Sequence, residues 1–353
     1  MNFDLDKLIR PNLRNMIPYS SARDEYSGNA SVFLDANESP FNEPYNRYPD
    51  PQQKILKSKI SKLFSQPVEN IFLGNGSDEA IDLLFRVFCE PGRDNILTMA
   101  PSYGMYEVSA NTQDVEVRKV LLEDDYTFRA ESMLKMSDES SKLAFLCSPN
   151  NPTGNLLDIA EIIYLLGSFE GIVVVDEAYI DFAESKGLLP YLQDFPNLVV
   201  LRTFSKAWGL AGIRLGMAFA SSRIINLLAK VKYPYNLNIL TQEFALKQLM
   251  EEERKKEWVS EILFQRAKMA ERLRKMKMVE KVHPSDANFL LVKLDRPDEL
   301  YNYLKDKGII IRDRSKVIKC EGSLRITIGS KIENKILLRE MEDFMSNPKY
   351  AAE

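Results

Sequence analysis

The chain has 353 residues, 45% hydrophobic and 28% charged, with a formal net charge of -4. That is an ordinary globular balance, with chain enough for two or three domains, and a nucleic-acid-binding face would show instead as a basic excess. Three cysteines (Cys89, Cys147, Cys320) are odd in number and lack metal or redox spacing, so neither a disulfide framework nor a metal site is expected, and a reducing cytoplasm is the expected compartment.

The N-terminus MNFDLDKLIR has no basic start followed by an apolar block, so no secretory leader is expected. From about residue 68, helix and strand patterns alternate. Ile81, Leu84, Phe85 and Phe88 follow i, i+3, i+4, i+7 spacing, which predicts a helix over 78–89, stopped by Pro91-Gly92. Short apolar runs then predict strands at 96–99, 143–147, 172–175, 198–201 and 213–220. Several lack the alternation of a half-wet strand and read as buried on both faces. Ile159, Ile162, Ile163 and Leu166 repeat the helical spacing behind a candidate N-cap, Asp158. The fold class is therefore α/β with a mostly parallel central sheet flanked by helices. No apolar run is long enough to span a bilayer.

Near residue 236 the texture changes. Charged helical sequence runs to about 280, with Glu251–Lys255 and Glu252–Lys256 as expected i,i+4 pairs on a solvated face. The lone histidine, His283 beside Pro284, reads as a surface residue, and no nucleophile motif accompanies it, which argues against a Ser/His or Cys/His hydrolase. Strands at 289–294, 309–312 and 324–328, with helices at 297–307 and the end, predict a smaller α+β domain.

Four local features carry chemistry. Ser205-Lys206, with Arg214 eight residues beyond the lysine, follows a predicted strand end. A desolvated lysine there can lose its proton and attack an aldehyde, while Ser205 and Arg214 could grip a phosphate. Asp176 ends the buried strand at 172–175, where a carboxylate needs a cationic partner or else a capping role. A protonated pyridine nitrogen would suit, making the ring an electron sink. Gly74-Asn75-Gly76-Ser77-Asp78 opens the Ile81 helix, as an anion-binding loop does and as many plain turns do. Ser148-Pro149-Asn150-Asn151-Pro152-Thr153-Gly154 is a rigid turn that could aim the Asn151 amide at a ligand.

In order and spacing, Asn151-Pro152-Thr153-Gly154, then Asp176-Glu177-Ala178-Tyr179, then Ser205-Lys206 and Arg214 resemble the fold-type I pyridoxal-phosphate (PLP) aminotransferases. The resemblance implies PLP as cofactor and a set of roles. Lys206 carries the cofactor and moves the proton between substrate Cα and cofactor C4′. Asp176 pairs with the pyridine nitrogen. Asn151 and Tyr179 bond the phenolic oxygen. Tyr103, in APSYGMY, stacks on the ring. Ser77 and Asp78 offer backbone N–H groups to the phosphate, completed by Ser205 and Arg214.

A narrower likeness covers nearly the whole chain. Pro18-Tyr19 with Ser21-Ala22-Arg23, Leu34-Asp35-Ala36-Asn37-Glu38, Asn46-Arg47-Tyr48-Pro49-Asp50, Ile311-Arg312-Asp313 and Leu324-Arg325-Ile326-Thr327-Ile328-Gly329 are similar to the histidinol-phosphate aminotransferase family. Trp208, where that family often has Phe, and Asn75 depart from it. The likeness implies exchange of the amino group of L-histidinol phosphate with 2-oxoglutarate, in histidine biosynthesis. It implies that Arg312, Arg325 and Tyr19 face the anionic end of the substrate. It also implies a homodimer in which Tyr48 reaches the partner's cofactor phosphate. With it comes an N-terminal arm (1–35) packing with the small domain, a large PLP-binding domain (36–240) and a small C-terminal domain (241–353). An aromatic-amino-acid aminotransferase, a phosphothreonine decarboxylase and a non-catalytic PLP or amino-acid binding module are the other readings. A second arginine favours a phosphorylated substrate among the enzymes, and the retained lysine argues against the module.

Overall fold

The computed structural model describes residues 3–26, 28 and 30–347. Seven strands form the larger sheet: β1 (Ile71–Asn75), β2 (Asn95–Ala100), β3 (Glu116–Leu121), β4 (Ser141–Cys147), β5 (Ile172–Asp176), β6 (Leu198–Thr203) and β7 (Leu215–Ala220). Their order is β1-β7-β6-β5-β4-β2-β3. Pairs β2–β3, β2–β4, β4–β5 and β5–β6 are parallel, and β7 alone runs against its neighbours β6 and β1. β5 and β6 are buried along their whole length, as their unbroken apolar sequence requires when helices cover both faces. The register sets Cys147 beside Asp176, and Asp176 beside Leu201. The carboxyl ends of β4, β5 and β6 thus open onto one edge, where an open α/β sheet binds ligands.

Four antiparallel strands form the second sheet, in the order β10-β11-β9-β8: β8 (Val279–Val282), β9 (Phe289–Leu294), β10 (Arg312–Asp313) and β11 (Ser323–Thr327). The helices Glu252–Arg274, Pro297–Asp306 and Lys331–Ser346 close a separate core on it, around Leu273, Leu304, Ile326 and Phe344. A small apolar cluster of Tyr179, Phe182, Ala207 and Phe289 joins the two sheets directly beside Lys206.

Several expectations change. The helix Ser77–Phe88 buries Ala80, Leu83 and Val87 as well as the predicted stripe, because it is packed on more than one side. The strand expected at 213–220 starts at Leu215. Ala211–Ile213 is instead a 3-10 turn, and Arg214 has φ +53°, which swings its side chain toward the Ser77 helix. The run expected as a strand at 309–312 pairs only at Arg312–Asp313. Lys255 ion-pairs with Asp181 at 2.5 Å rather than with Glu251, while Lys256 does reach Glu252 at 3.2 Å. His283 is 8% exposed, not on the surface, and burial pushes its imidazole down to about 4.

At the start of the arm, Leu5, Leu8 and Leu13 belong to the core of the large sheet, Arg10 N donates to Val87 O at 3.0 Å, and Lys230 Nζ donates to Leu13 O at 2.6 Å. The helix Ile239–Gln248 also packs on the large core through Ala245. Among the described residues no helix is long and apolar enough to cross a membrane, and no His/Cys/Asp/Glu group could hold a metal ion.

Candidate active site

A cleft at the carboxyl ends of β4, β5 and β6 is lined by Ser77, Asp78, Tyr103, Asn151, Asp176, Tyr179, Ser205, Lys206 and Arg214. These positions are scattered from residue 77 to residue 214, and the parallel sheet brings them together by ending its strands at one edge.

Its floor is Asp176, 3% exposed. Both its hydrogen bonds come from neutral donors: Tyr106 Oη to Oδ2 at 2.9 Å and Ala178 N to Oδ1 at 3.0 Å. Burial pushes its carboxyl up to about 6 despite those donors. Lys206 follows β6 and is half-buried, its Nζ 5.5 Å from the centre of the Tyr179 ring. Burial first, and the Arg325 charge second, lower its ammonium below the usual lysine value. Burial likewise raises the Tyr179 phenol, so it stays protonated.

One wall is built around the N-terminus of the helix Ser77–Phe88. Gly76 precedes it at φ +74°, and a Cβ there would stand 2.6 Å from Arg214 Nη2. A Cβ on Gly216 of β7 would stand 2.0 Å from Ser77 N, so both glycines are needed for the close approach. Arg214 Nη2 meets Asp78 Oδ2 at 3.3 Å, and Tyr103 Oη donates to Asp78 Oδ1 at 3.2 Å. Free N–H groups, a guanidinium and the Ser205 hydroxyl converge here, as a phosphate requires.

The opposite wall is the turn after β4. Asn150 is fully buried and anchors it, donating to Pro101 O at 3.0 Å and Thr153 Oγ1 at 2.7 Å. That leaves Asn151 facing the cleft, where its Oδ1 accepts from Arg325 Nη1 of β11. Arg312 is the ladder partner of Arg325 on β10 and is exposed. Arg314 joins them: burial and the Arg325 and Arg312 charges lower its guanidinium from the usual value. The Nε atoms of Arg314 and Arg325 are buried and make no hydrogen bond.

Four expected residues are absent from the cleft lining: Arg325, which bonds to Asn151 of its wall, Arg312 beside it, and Tyr48 and Tyr19. Tyr48 is 51% exposed and stacks on Tyr235, centroids 4.4 Å apart. Tyr19 is 69% exposed. Three residues of the site were missed in the sequence. Tyr106 lies one helical turn after Tyr103, a spacing that could have been read. Arg314 alternates with Arg312, which marks one side of an extended segment. Thr203, whose Oγ1 accepts from Ser205 N at 3.1 Å, carries no sequence signal.

Asp176 lacks a contacting cation among the described residues, and a protonated pyridine in the cleft would supply one. The phosphate-type wall and Lys206 lie on the same cleft, so the residues fit pyridoxal phosphate. A cleft of this make, at the strand ends of such a sheet, places the protein among the fold-type I PLP-dependent transferases. More narrowly, the chain belongs to the aminotransferase class I and II family, whose model matches residues 29–341. It is similar to histidinol-phosphate aminotransferase of Parabacteroides distasonis, 57% identical over 340 residues, covering 96% of this chain and 99% of the relative. Among solved structures it resembles histidinol-phosphate aminotransferase from Clostridium acetobutylicum, with TM-score 0.79 and 25% identity over 86% of this chain and 92% of that one. The enzyme of that name from Sinorhizobium meliloti, in complex with pyridoxal-5'-phosphate, shares the fold at TM-score 0.77 and 22% identity, over 87% of this chain and 89% of that one.

Proposed function

We propose that the chain is a PLP-dependent transaminase that passes the amino group of L-histidinol phosphate to 2-oxoglutarate, giving imidazole acetol phosphate and L-glutamate, within histidine biosynthesis. The observation that carries this reading is the placement of Lys206 and Asp176 on one cleft, with Arg325 bonded to Asn151 of its wall, in a chain 57% identical to a histidinol-phosphate aminotransferase.

When bound, pyridoxal phosphate supplies an electron sink for the pair left at substrate Cα. The chain's residues do the rest. Lys206, with its ammonium already lowered, takes the Cα proton and returns it. Asp176 holds a proton on the ring nitrogen by its charge. Asn151 and Tyr179 orient the phenolic oxygen, and Tyr103 covers a ring face. Ser77 and Asp78 through their backbone, with Ser205 and Arg214, bind the phosphate. Arg325 and Arg312, with Tyr19, receive the anionic end of the substrate. Guanidiniums gathered with unpaired Nε atoms favour a doubly charged phosphate over a single carboxylate.

In this reading the enzyme is a homodimer and Tyr48 completes the partner's phosphate cup. Three free, buried cysteines suit a reducing cytoplasm. Two measurements test the proposal. Borohydride reduction and peptide mapping are expected to place a pyridoxyl group on Lys206, and Lys206→Ala is expected to abolish turnover. Separate additions of histidinol phosphate, phenylalanine and phosphothreonine to the yellow holoenzyme should bleach it fastest with the first. Fastest bleaching by phenylalanine, or carbon dioxide release from phosphothreonine, would replace this substrate assignment.

A further inference from the structure

Tyr106 stands on the helix Met105–Thr112 and is completely enclosed. Its ring lies nearly parallel to Phe145 of β4, centroids 4.7 Å apart, and meets Tyr103 edge-on at 5.5 Å and 86°. Its phenol donates to Asp176 Oδ2 at 2.9 Å. Three contacts therefore hold the phenol in one orientation. Burial, with the Asp176 charge behind it, keeps the phenol well above its ordinary titration, so it retains its proton at any working pH and remains a donor. A carboxylate has about four acceptor positions. The chain fills two, through Tyr106 and Ala178 N, and leaves the others to the cleft.

We infer that Tyr106 is a positioning residue for the cofactor: by donating to Asp176 Oδ2 it keeps that carboxylate ionised and turned into the cleft, and by its edge contact it sets the Tyr103 ring that covers the cofactor's face. One phenol thus fixes both groups between which the pyridine ring would lie. The inference rests on the reading of the cleft as a PLP site and adds to it a residue that touches neither cofactor nor substrate.

The test is a titration of cofactor-stripped protein with pyridoxal phosphate over a pH series, following the visible absorbance of the lysine-bound cofactor. Tyr106→Phe keeps the ring stack and removes one O–H. Its affinity is expected to fall about 10–100-fold, the range carried by a hydrogen bond to a charged group. The acid limb of the affinity should also move to higher pH. Asp176, already pushed up to about 6 by burial, would lose a donor that favours its ionised form. In an Asp176→Asn background the same substitution should change nothing further. Equal losses in both backgrounds with an unmoved acid limb would make Tyr106 a packing residue and overturn the inference, as would an unchanged affinity. Should Tyr106→Phe not fold, Tyr106→His is carried through the same cycle, and its effect must likewise vanish in the Asp176→Asn background. Wild-type protein that takes up no pyridoxal phosphate at Lys206 would overturn the cofactor reading itself, a separate result from any of these.

Discussion

Asp176 is held ionised against its surroundings, and that has a consequence for stability. Its folded carboxyl lies at about 6, above an ordinary value of 3.8. Over that window the folded chain binds the proton more tightly than the unfolded one, so this group's contribution to stability falls as pH rises from about 4 to 6. At about 1.4 kcal/mol for each unit, the loss is on the order of 3 kcal/mol. Cofactor-stripped Asp176→Asn should therefore unfold at a higher temperature than the wild type at pH 7, and the difference should shrink below pH 4. Adding pyridoxal phosphate should reverse the order, because binding stabilises the folded form and the asparagine has no charge to offer the ring. An Asp176→Asn protein no more stable than wild type at pH 7 would show that the carboxylate is not a source of strain. Asp176 was legible in the sequence because it stops the apolar run of β5, and Lys206 because it pairs with Ser205 and has Arg214 eight residues on, just past a strand. The spacing of Tyr106 from Tyr103 was there to be read, but its partner was not, since that is chosen by how the helix Met105–Thr112 settles on β4 and β5.

At the scale of elements, the strands that could be read were those enclosed on both faces, because burial leaves only apolar residues to choose from. β1 went unread because Gly74-Asn75-Gly76 punctuates it, and β3 because an edge strand carries charges such as Glu116, Arg118 and Lys119. The arm up to Tyr48 shows the limit most clearly. Arg23, Glu38 and Arg47 belong to three separate motifs, yet they form one cluster. Glu38 Oε2 accepts from Arg23 at 2.5 Å and Arg47 at 2.9 Å, and its Oε1 accepts from Tyr48 N at 2.7 Å. The Arg23 hydrogen bond is the main cause that holds the Glu38 carboxyl down at about 2. A depressed carboxyl stabilises above its unfolded value and loses that contribution as pH falls toward 2, so the cluster is intact at neutral pH. Glu38→Gln should free the segment around Tyr48, and amide hydrogen exchange over residues 38–48 is expected to accelerate about tenfold, the lower range for a charge-assisted bond. Exchange that stays at the wild-type rate would mean that the cluster does not tie the segment down.

For the whole molecule, the same segment bears on the proposed homodimer. Tyr48 is absent from the cleft lining of its own chain, and it lies in a stretch that leaves Leu34 91% and Phe41 78% exposed. Large apolar side chains gathered on one stretch mark a surface that something covers. In the proposed homodimer a second copy of this chain would meet that need, and two-fold symmetry would make the exchange reciprocal, each Tyr48 entering the other subunit's phosphate cup. From sequence alone Tyr48 reads as a packing residue under the arm, because composition says nothing of which chain a side chain faces. The test mixes two inactive proteins, Lys206→Ala and Tyr48→Ala, under conditions that let subunits exchange. If Tyr48 acts across the interface, each mixed dimer has one site with both defects and one with neither. Equal amounts and random exchange should then return roughly a quarter of wild-type sites. If Tyr48 acts within its own chain, every site keeps one defect and activity stays at the level of the separate variants. Sedimentation of the wild type as a monomer at working concentration, or a Tyr48→Ala protein with near-full activity, would defeat the shared site before any mixing.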